Sequence, residues 1–337
     1  MRPLHFSTGT VPPEQRLDLF RLGARSYQVD TPGDPLAFAA DWRVLALGDV
    51  NAVHAHVSPL GYRRTRERIA ADGENRLVFF HIRQGHCAGM LNDIPVDLSP
   101  GDGMIWDLSC PLEMRSLDGT ETEVVTLPRF MVDEVMPGAI LSGVIAPSPA
   151  LTLVGEHFRF LFDRAGDLPD EAAPFQGRAL RDILAMAMQP LYRTRVAGAD
   201  ERAGPVLQRI IERIDHDLHG GHDPAMLAAG LSLSVQDVAA TLARFGGVDG
   251  LVEQRRLLAA YRLLSDPTHT DSVSVVAARC GFTDMPHFSR RFRAVFHTTA
   301  TDLRLHHSAH LPVWAGAYHI ERSYEAMMVG KPTCQGR

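Results

Sequence analysis

The sequence predicts an α+β chain of two domains, an N-terminal β-rich barrel or sandwich with flanking helices followed by an all-α domain. Three observations carry this reading. Between Trp42 and Thr126 short apolar runs alternate with turn residues, which is the signature of strands rather than helices. After Pro128 the apolar spacing changes to three and four residues, and it stays helical beyond Pro205. Between those regions VAGADERAGP (Val196 to Pro205) is small, polar and Gly-containing, as expected of a linker. The boundaries expected are therefore 1–195 for the first domain, 196–204 for the linker, 205–305 for the helical domain and 306–337 for a tail of unassigned role.

Taken in order, the strand candidates are WRVLALGDV, AVHAHVSP, RLVFFHIRQG, GMLND, LSPGD, GMIWDLS, LEMRS and TEVVTL, a density that implies a closed or two-layered β fold. Residues Gly155 to Asp163 and Phe175 to Arg195 are helical by period. The second carries Leu180, Ile183, Leu184, Ala187 and Leu191 on one stripe, suited either to its own sheet or to the same helix of a second chain. In the tail a short helix from Tyr318 to Met328 is the one periodic element.

Composition narrows the function classes. With 45% hydrophobic and 22% charged residues in 337, the chain has ample material for two packed cores. Its four cysteines, Cys87, Cys110, Cys280 and Cys334, are far apart, so neither a disulfide framework nor a thiolate zinc site is expected. The start MRPLHFSTGTVPPEQ lacks the basic and apolar segments of an export signal, and no apolar run reaches the ~18 residues of a membrane helix. The expectation is a cytoplasmic protein with no membrane partner. Because the net charge is −6, any nucleic-acid binding must rest on a local basic patch.

That patch lies in SVSVVAARCGFTDMPHFSRRFRAVF (Ser272 to Phe296). Ser272 suits an N-cap, and Val273, Val276, Ala277 and Cys280 form one apolar face. Gly281 stops the helix, because glycine turns left-handed without steric cost. Asp284 can cap a second helix with Pro286 in its first turn, where the missing amide hydrogen costs nothing. On that helix Phe288, Phe292 and Val295 face inward by period, while Pro286, Ser289, Arg290 and Arg293 face outward. Two short helices about a tight turn form a helix-turn-helix, and arginine and serine on the second can hold phosphates or read base edges.

The string RLLAAYRLLSD (Arg256 to Asp266) followed by this segment resembles the C-terminal domain of AraC/XylS-type transcription regulators. There an "RLxxAxxLL" helix joins two helix-turn-helix units and "GFxDxSHFSRxFRxxFGxSPxxYR" marks the second. The likeness spans Pro205 to Arg304. Pro286 stands for the family's Ser, His297 for Gly, Thr299-Ala300 for Ser-Pro and Leu303 for Tyr. It implies double-stranded DNA as partner, a homodimer, and RNA polymerase as a further partner if the chain activates. The candidate DNA-binding residues are Gln236, Met285, Pro286, Ser289, Arg290 and Arg293.

Fifty residues upstream Val238, Leu242 and Phe245 fall on the positions of Phe288, Phe292 and Val295, so the scaffold repeats. Its outward positions are Gln236, Ala239, Ala240 and Ala243, and Ser232 replaces the turn glycine. Three aspartates between Asp223 and Asp249 oppose Arg244 alone, whereas five arginines between Arg279 and Arg304 oppose two aspartates. The expectation is that the second unit reads DNA and the first acts mainly as scaffold.

The β-rich segment resembles the cupin-like arm of the same regulators through VSPLGYRRTRERIAADGENRLVFFHIRQGH and LSPGDGMIWD, containing "PxxxxRT" and "LxPGD" segments. This implies a small-molecule effector whose identity and binding residues are unknown; Trp42, Phe79, Phe80 and Trp106 could line its pocket, but aromatics on strands are more often core, so none is assigned. His54 and His56 could begin a metal site. The Glu that follows such a pair in metal cupins is absent, the next acid being Glu67, so no metal, cofactor or catalytic residue is expected, and His81 reads as a hydrogen-bonded sheet residue. Two alternatives remain: a cupin-type metalloenzyme with a helical appendage, and a regulator acting mainly through protein contacts.

Overall fold

A computed structural model of the chain describes residues 1–308 except 73, 75, 137–140, 198–202, 267, 268 and 297. It divides into two compact units, one made of Met1–Val135 with Ile140–Leu191 and one continuing from Tyr192.

The first unit opens with β1 (Leu4–Ser7), α1 (Pro13–Gly23) and β2 (Gln28–Asp30). There follow β3 (Ala40–Leu47), β4 (Val50–Val57), β5 (Leu60–Arg64), α2 (Arg66–Asp72), β6 (Leu77–Gln84), β7 (Cys87–Leu91), β8 (Ile94–Leu98) and β9 (Gly103–Asp107). It ends with β10 (Leu112–Ser116), β11 (Thr120–Leu127), α3 (Arg129–Asp133), β12 (Gly143–Ile145), α4 (Pro149–Arg164) and α5 (Ala173–Ala197). Seven strands pair antiparallel in the order β1-β3-β4-β11-β6-β9-β12, and five in the order β2-β5-β10-β7-β8. Val78, Phe80 and Ile82 of β6 and Trp106 of β9 meet Leu91, Val96, Leu98 and Met114 of the smaller sheet in one buried core. Alternation along each strand makes this two-layered fold, one face turned into the core and the other toward helices.

The expected strands from Trp42 to Thr126 are present except LSPGD, where Leu98 ends β8 and Ser99 to Asp102 form a turn closed by the Asp102 amide donating to the Ser99 carbonyl. Five strands, β1, β2, β5, β8 and β12, and the helices α1, α2 and α3 were not marked by the periodicity. In the "PxxxxRT" segment Arg64 is fully buried; it donates to the carbonyls of Leu108 and Ser26 and makes a bidentate pair with Asp72 at 2.8 Å. The motif is therefore a structural staple that ties β5 to α2.

The stripe on α5 faces inward within its own unit: Leu180, Leu184, Ala187 and Met188 are buried, while Ile183 and Leu191 are half-buried. Gly177 allows this approach, since a Cβ there would lie 2.1 Å from the carbonyl oxygen of Leu47 on β3. Arg181, buried beside these residues, pairs with Glu134.

The second unit is helical: α6 (Ala203–His216), α7 (Pro224–Leu231), α8 (Val235–Leu242), α9 (Gly247–Ser265), α10 (Val273–Arg279), α11 (Met285–Phe296) and α12 (Ala300–Ser308). Helix α5 extends to Ala197 and α6 starts at Ala203, so most of the expected linker lies in residues 198–202, outside the described ones. The expected helix from Tyr318 to Met328 and the substitution at His297 also lie outside them.

Candidate nucleic-acid interface

Each helix-turn-helix is built around local caps. In the second, the Ser272 hydroxyl accepts from the amide of Val275 and the Asp284 carboxylate from that of His287, so both helix starts are satisfied as expected. Gly281 has φ of 88°, and a Cβ there would also meet Arg256 Nε and the Leu218 carbonyl oxygen, each at 2.7 Å. Two separate constraints therefore demand glycine at that turn. Arg256 itself donates to Leu218 at 2.7 Å, which gives the arginine of the "RLxxAxxLL" string a structural task.

Phe288 and Phe292 are wholly buried, as their spacing predicts. The third inward residue differs from the expectation: Val295 is half-buried and Phe296 is buried. The reason is aromatic packing, for the Phe296 ring lies 4.6 Å from that of Tyr261 on α9 and 4.5 Å from that of Phe292. On the opposite side Pro286, Ser289, Arg290 and Arg293 are exposed, with Met285 half-buried at the helix start.

The five arginines of this segment have unequal freedom. Arg279 pairs with Asp271 at 2.9 Å, and Arg304 donates to the carbonyls of His269 and Asp271. Arg291 donates through Nε to Glu253 on α9 at 2.7 Å, and the other oxygen of that carboxylate lies 2.7 Å from His287 Nε2. Burial works to raise the Glu253 carboxyl, but the hydrogen bonds and charges of Arg291 and His287 outweigh it and hold it below the usual carboxylate range. Among the described residues Arg290 and Arg293 have no such partner, so their cations face solvent uncommitted. The sequence reading missed Glu253, whose role depends on the proximity of two helices that periodicity does not report.

The first helix-turn-helix repeats the scaffold with a different surface. Val238 and Leu242 are buried with Leu207, Ile210, Ile214 and Leu227, and Phe245 packs against them. Ser232 takes the left-handed conformation, φ 55°, that Gly281 takes in the second unit. Its turn is one residue tighter, since Ser232 stands two positions before the cap Ser234 while Gly281 stands three before Asp284. Gln236, Ala239, Ala240 and Ala243 are all exposed, so the outward face is mostly methyl groups.

In the first unit, the reading of His54 and His56 needs correction. The carboxylate expected to be missing is supplied from the neighbouring strand: Glu121 on β11 stands opposite His56 on β4, and its Oε1 is 2.8 Å from His54 Nε2. His81 follows its expectation, being buried with Nδ1 2.7 Å from Glu123 Oε2. Of the aromatic candidates, Phe80 and Trp106 lie in the interior core, and Trp42 packs against Phe6 and Phe20. No single helix among the described residues is long and apolar enough to cross a membrane.

The comparisons with known proteins agree with this anatomy. Residues 28–192 match the model of the AraC-binding-like domain, and residues 227–306 match that of a helix-turn-helix domain. The chain is 28% identical over 284 residues to the transcriptional activator NphR of a Rhodococcus species, covering 80% of this chain and 82% of that one. It is similar in fold to the crystal structure of the AraC-like transcriptional activator CuxR, with a TM-score of 0.53 at 19% identity, over 77% of this chain and 95% of that one.

Proposed function

Because this chain belongs to the AraC family of DNA-binding transcription regulators, with an N-terminal effector-binding domain, we propose that it recognises a specific duplex sequence mainly through α11. The observation that carries this reading is the contrast between the two outward helix faces. Helix α11 offers Ser289 and the uncommitted cations of Arg290 and Arg293, whereas α8 offers Gln236, Ala239 and Ala240, with Ala243 just beyond its end. Phosphate attraction and bidentate guanine recognition both require such cations. Met285 and Pro286 stand at the start of α11, the end that reaches base edges in this class of motif.

Residues 1–195 serve as the sensing and dimerisation domain and 205–305 as the DNA-binding domain. The protein acts in the cytoplasm as a homodimer, a form that gains avidity because two tethered domains meet their half-sites at high effective concentration. An effector shifts the sensing domain between states, and RNA polymerase is contacted if the outcome is activation. The buried Tyr62 hydroxyl, beside the interior core and without a hydrogen-bond partner among the described residues, supports an effector that supplies one. No residue is assigned to catalysis.

Binding-site selection on random duplexes, followed by footprinting, tests the reading. One strongly protected major-groove segment per monomer is expected. Two equally protected segments would refute the asymmetry, and selection of no preferred sequence would favour a regulator that works through protein contacts.

A further inference from the structure

The outer face of the seven-stranded sheet carries a row of polar groups that DNA reading does not use. Strand register sets it out: Arg43 of β3 stands opposite His54 of β4, His54 and His56 opposite Glu123 and Glu121 of β11, and Glu123 opposite His81 of β6. Their neighbours of opposite parity, Val124 and Phe80, belong to the interior core, so the row faces away from it. Helix α4 flanks the row, with Phe162 at 6.1 Å between ring centroids from His54, and a Cβ at Gly155 would lie 3.5 Å from Arg83, Glu123 and His81.

Three members of the row converge on one point. His54 Nε2 is 2.8 Å from Glu121 Oε1, His56 Nε2 is 3.6 Å from Glu121 Oε2, and the three ligand atoms all lie within 4.8 Å of one another. Ligand bonds of about 2.0–2.2 Å in a tetrahedral site place neighbouring ligand atoms about 3.4 Å apart, so small side-chain rotations suffice to enclose an ion. We infer that His54, His56 and Glu121 form a binding site for one divalent transition ion of the zinc class, on the outside of the β fold and apart from its interior.

The donor set is right for such an ion, since two imidazoles and a carboxylate suit zinc-class metals and not calcium or magnesium. Glu121 already turns one carboxylate oxygen toward each of the two rings. His56 is 56% exposed, which leaves solvent access for the ion and for a water as fourth ligand.

Arg43 is the competitor. Its guanidinium donates to His54 Nδ1 at 2.8 Å, which leaves the ring proton on Nε2, the atom the ion needs. Binding therefore moves that proton to Nδ1 through solvent and ends the Arg43 hydrogen bond. Arg43 also lies over the Phe162 ring at 5.3 Å, a contact it can keep when the hydrogen bond is lost. Replacement by glutamine reverses the preference, because a side-chain carbonyl accepts from Nδ1–H and fixes the metal-binding tautomer.

The test uses the tag-free full-length chain, stripped with chelator and titrated with Zn2+ alone by equilibrium dialysis, with Co2+ as the spectroscopic probe. One ion per chain is expected, giving the strong visible absorption of four-coordinate Co2+. His56→Ala and Glu121→Gln should each weaken that site by at least about 100-fold, and Arg43→Gln should tighten it by about 10-fold. His56 is exposed enough that its variant keeps the parent's circular dichroism and melting temperature, so loss there reports ligation. No bound Zn2+ in the parent chain, or equal affinity in the parent and both ligand variants, overturns the site; unchanged affinity in Arg43→Gln overturns the competition.

Discussion

Replacing Arg290 by alanine isolates the DNA-reading claim, because the side chain is exposed and has no ion-pair partner among the described residues. The fold loses no ion pair there, so the main effect is expected in the complex. A bidentate arginine–guanine pair contributes about 1–3 kcal/mol of discrimination. At 1.4 kcal/mol per tenfold, that is about a 5- to 150-fold rise in Kd for the selected duplex and little change for a scrambled one. A phosphate contact behaves differently: both duplexes weaken alike, and the slope of log K against log salt concentration falls by about 0.9. Fluorescence anisotropy on both duplexes between about 50 and 200 mM salt separates the cases. Less than a twofold change on either duplex, with an unaltered salt slope, would refute the assignment of α11 as the reading helix.

Other consequences can be measured independently. Gln236→Ala on α8 should change Kd for the selected duplex less than Arg290→Ala does, and a larger effect would contradict a mainly structural first unit. Phe292→Ala removes a wholly buried ring packed between those of Phe288 and Phe296 and should cost about 3–5 kcal/mol in denaturant unfolding. Asp72→Asn strands the buried Arg64 cation with carbonyl partners and should cost about 3 kcal/mol, read in the same experiment. The lowered Glu253 carboxyl contributes stability that is present above its ordinary range and lost as pH falls through its folded value, so Glu253→Gln should flatten the acid limb of the melting-temperature profile. An unchanged acid limb would show that the contacts with His287 and Arg291 are energetically silent.

Much of this molecule is legible from one sequence, and the boundary has a physical cause. Apolar runs bounded by turn residues mark β3, β4, β6, β9 and β11, and the spacing of Phe288 and Phe292 marks the inward face of α11, because each element advertises burial on its own. Strands of three or four residues, such as β1, β2 and β12, are too short to establish a period. Side-chain meetings across elements are harder still. Glu121 lies sixty-five residues beyond His56 and joins it through strand register, and Glu253 reaches His287 because α9 packs beside α11. The shift from Val295 to Phe296 has the same origin, since Tyr261 belongs to another helix.

Helix α9 gives Val248, Leu251 and Val252 to the core beneath α7 and α8, while its Tyr261 packs against Phe292 and Phe296, and Arg255 near its middle grips Asp215 of α6 through two hydrogen bonds. One continuous rod is thus shared by two interiors. Mutation is free to erase the vocabulary of the first half, as the alanines on α8 illustrate, yet cannot discard that half without leaving the rod's leading turns naked. A trimmed version holding only α10 to α12 would inherit the letters and lose the spine on which they are printed.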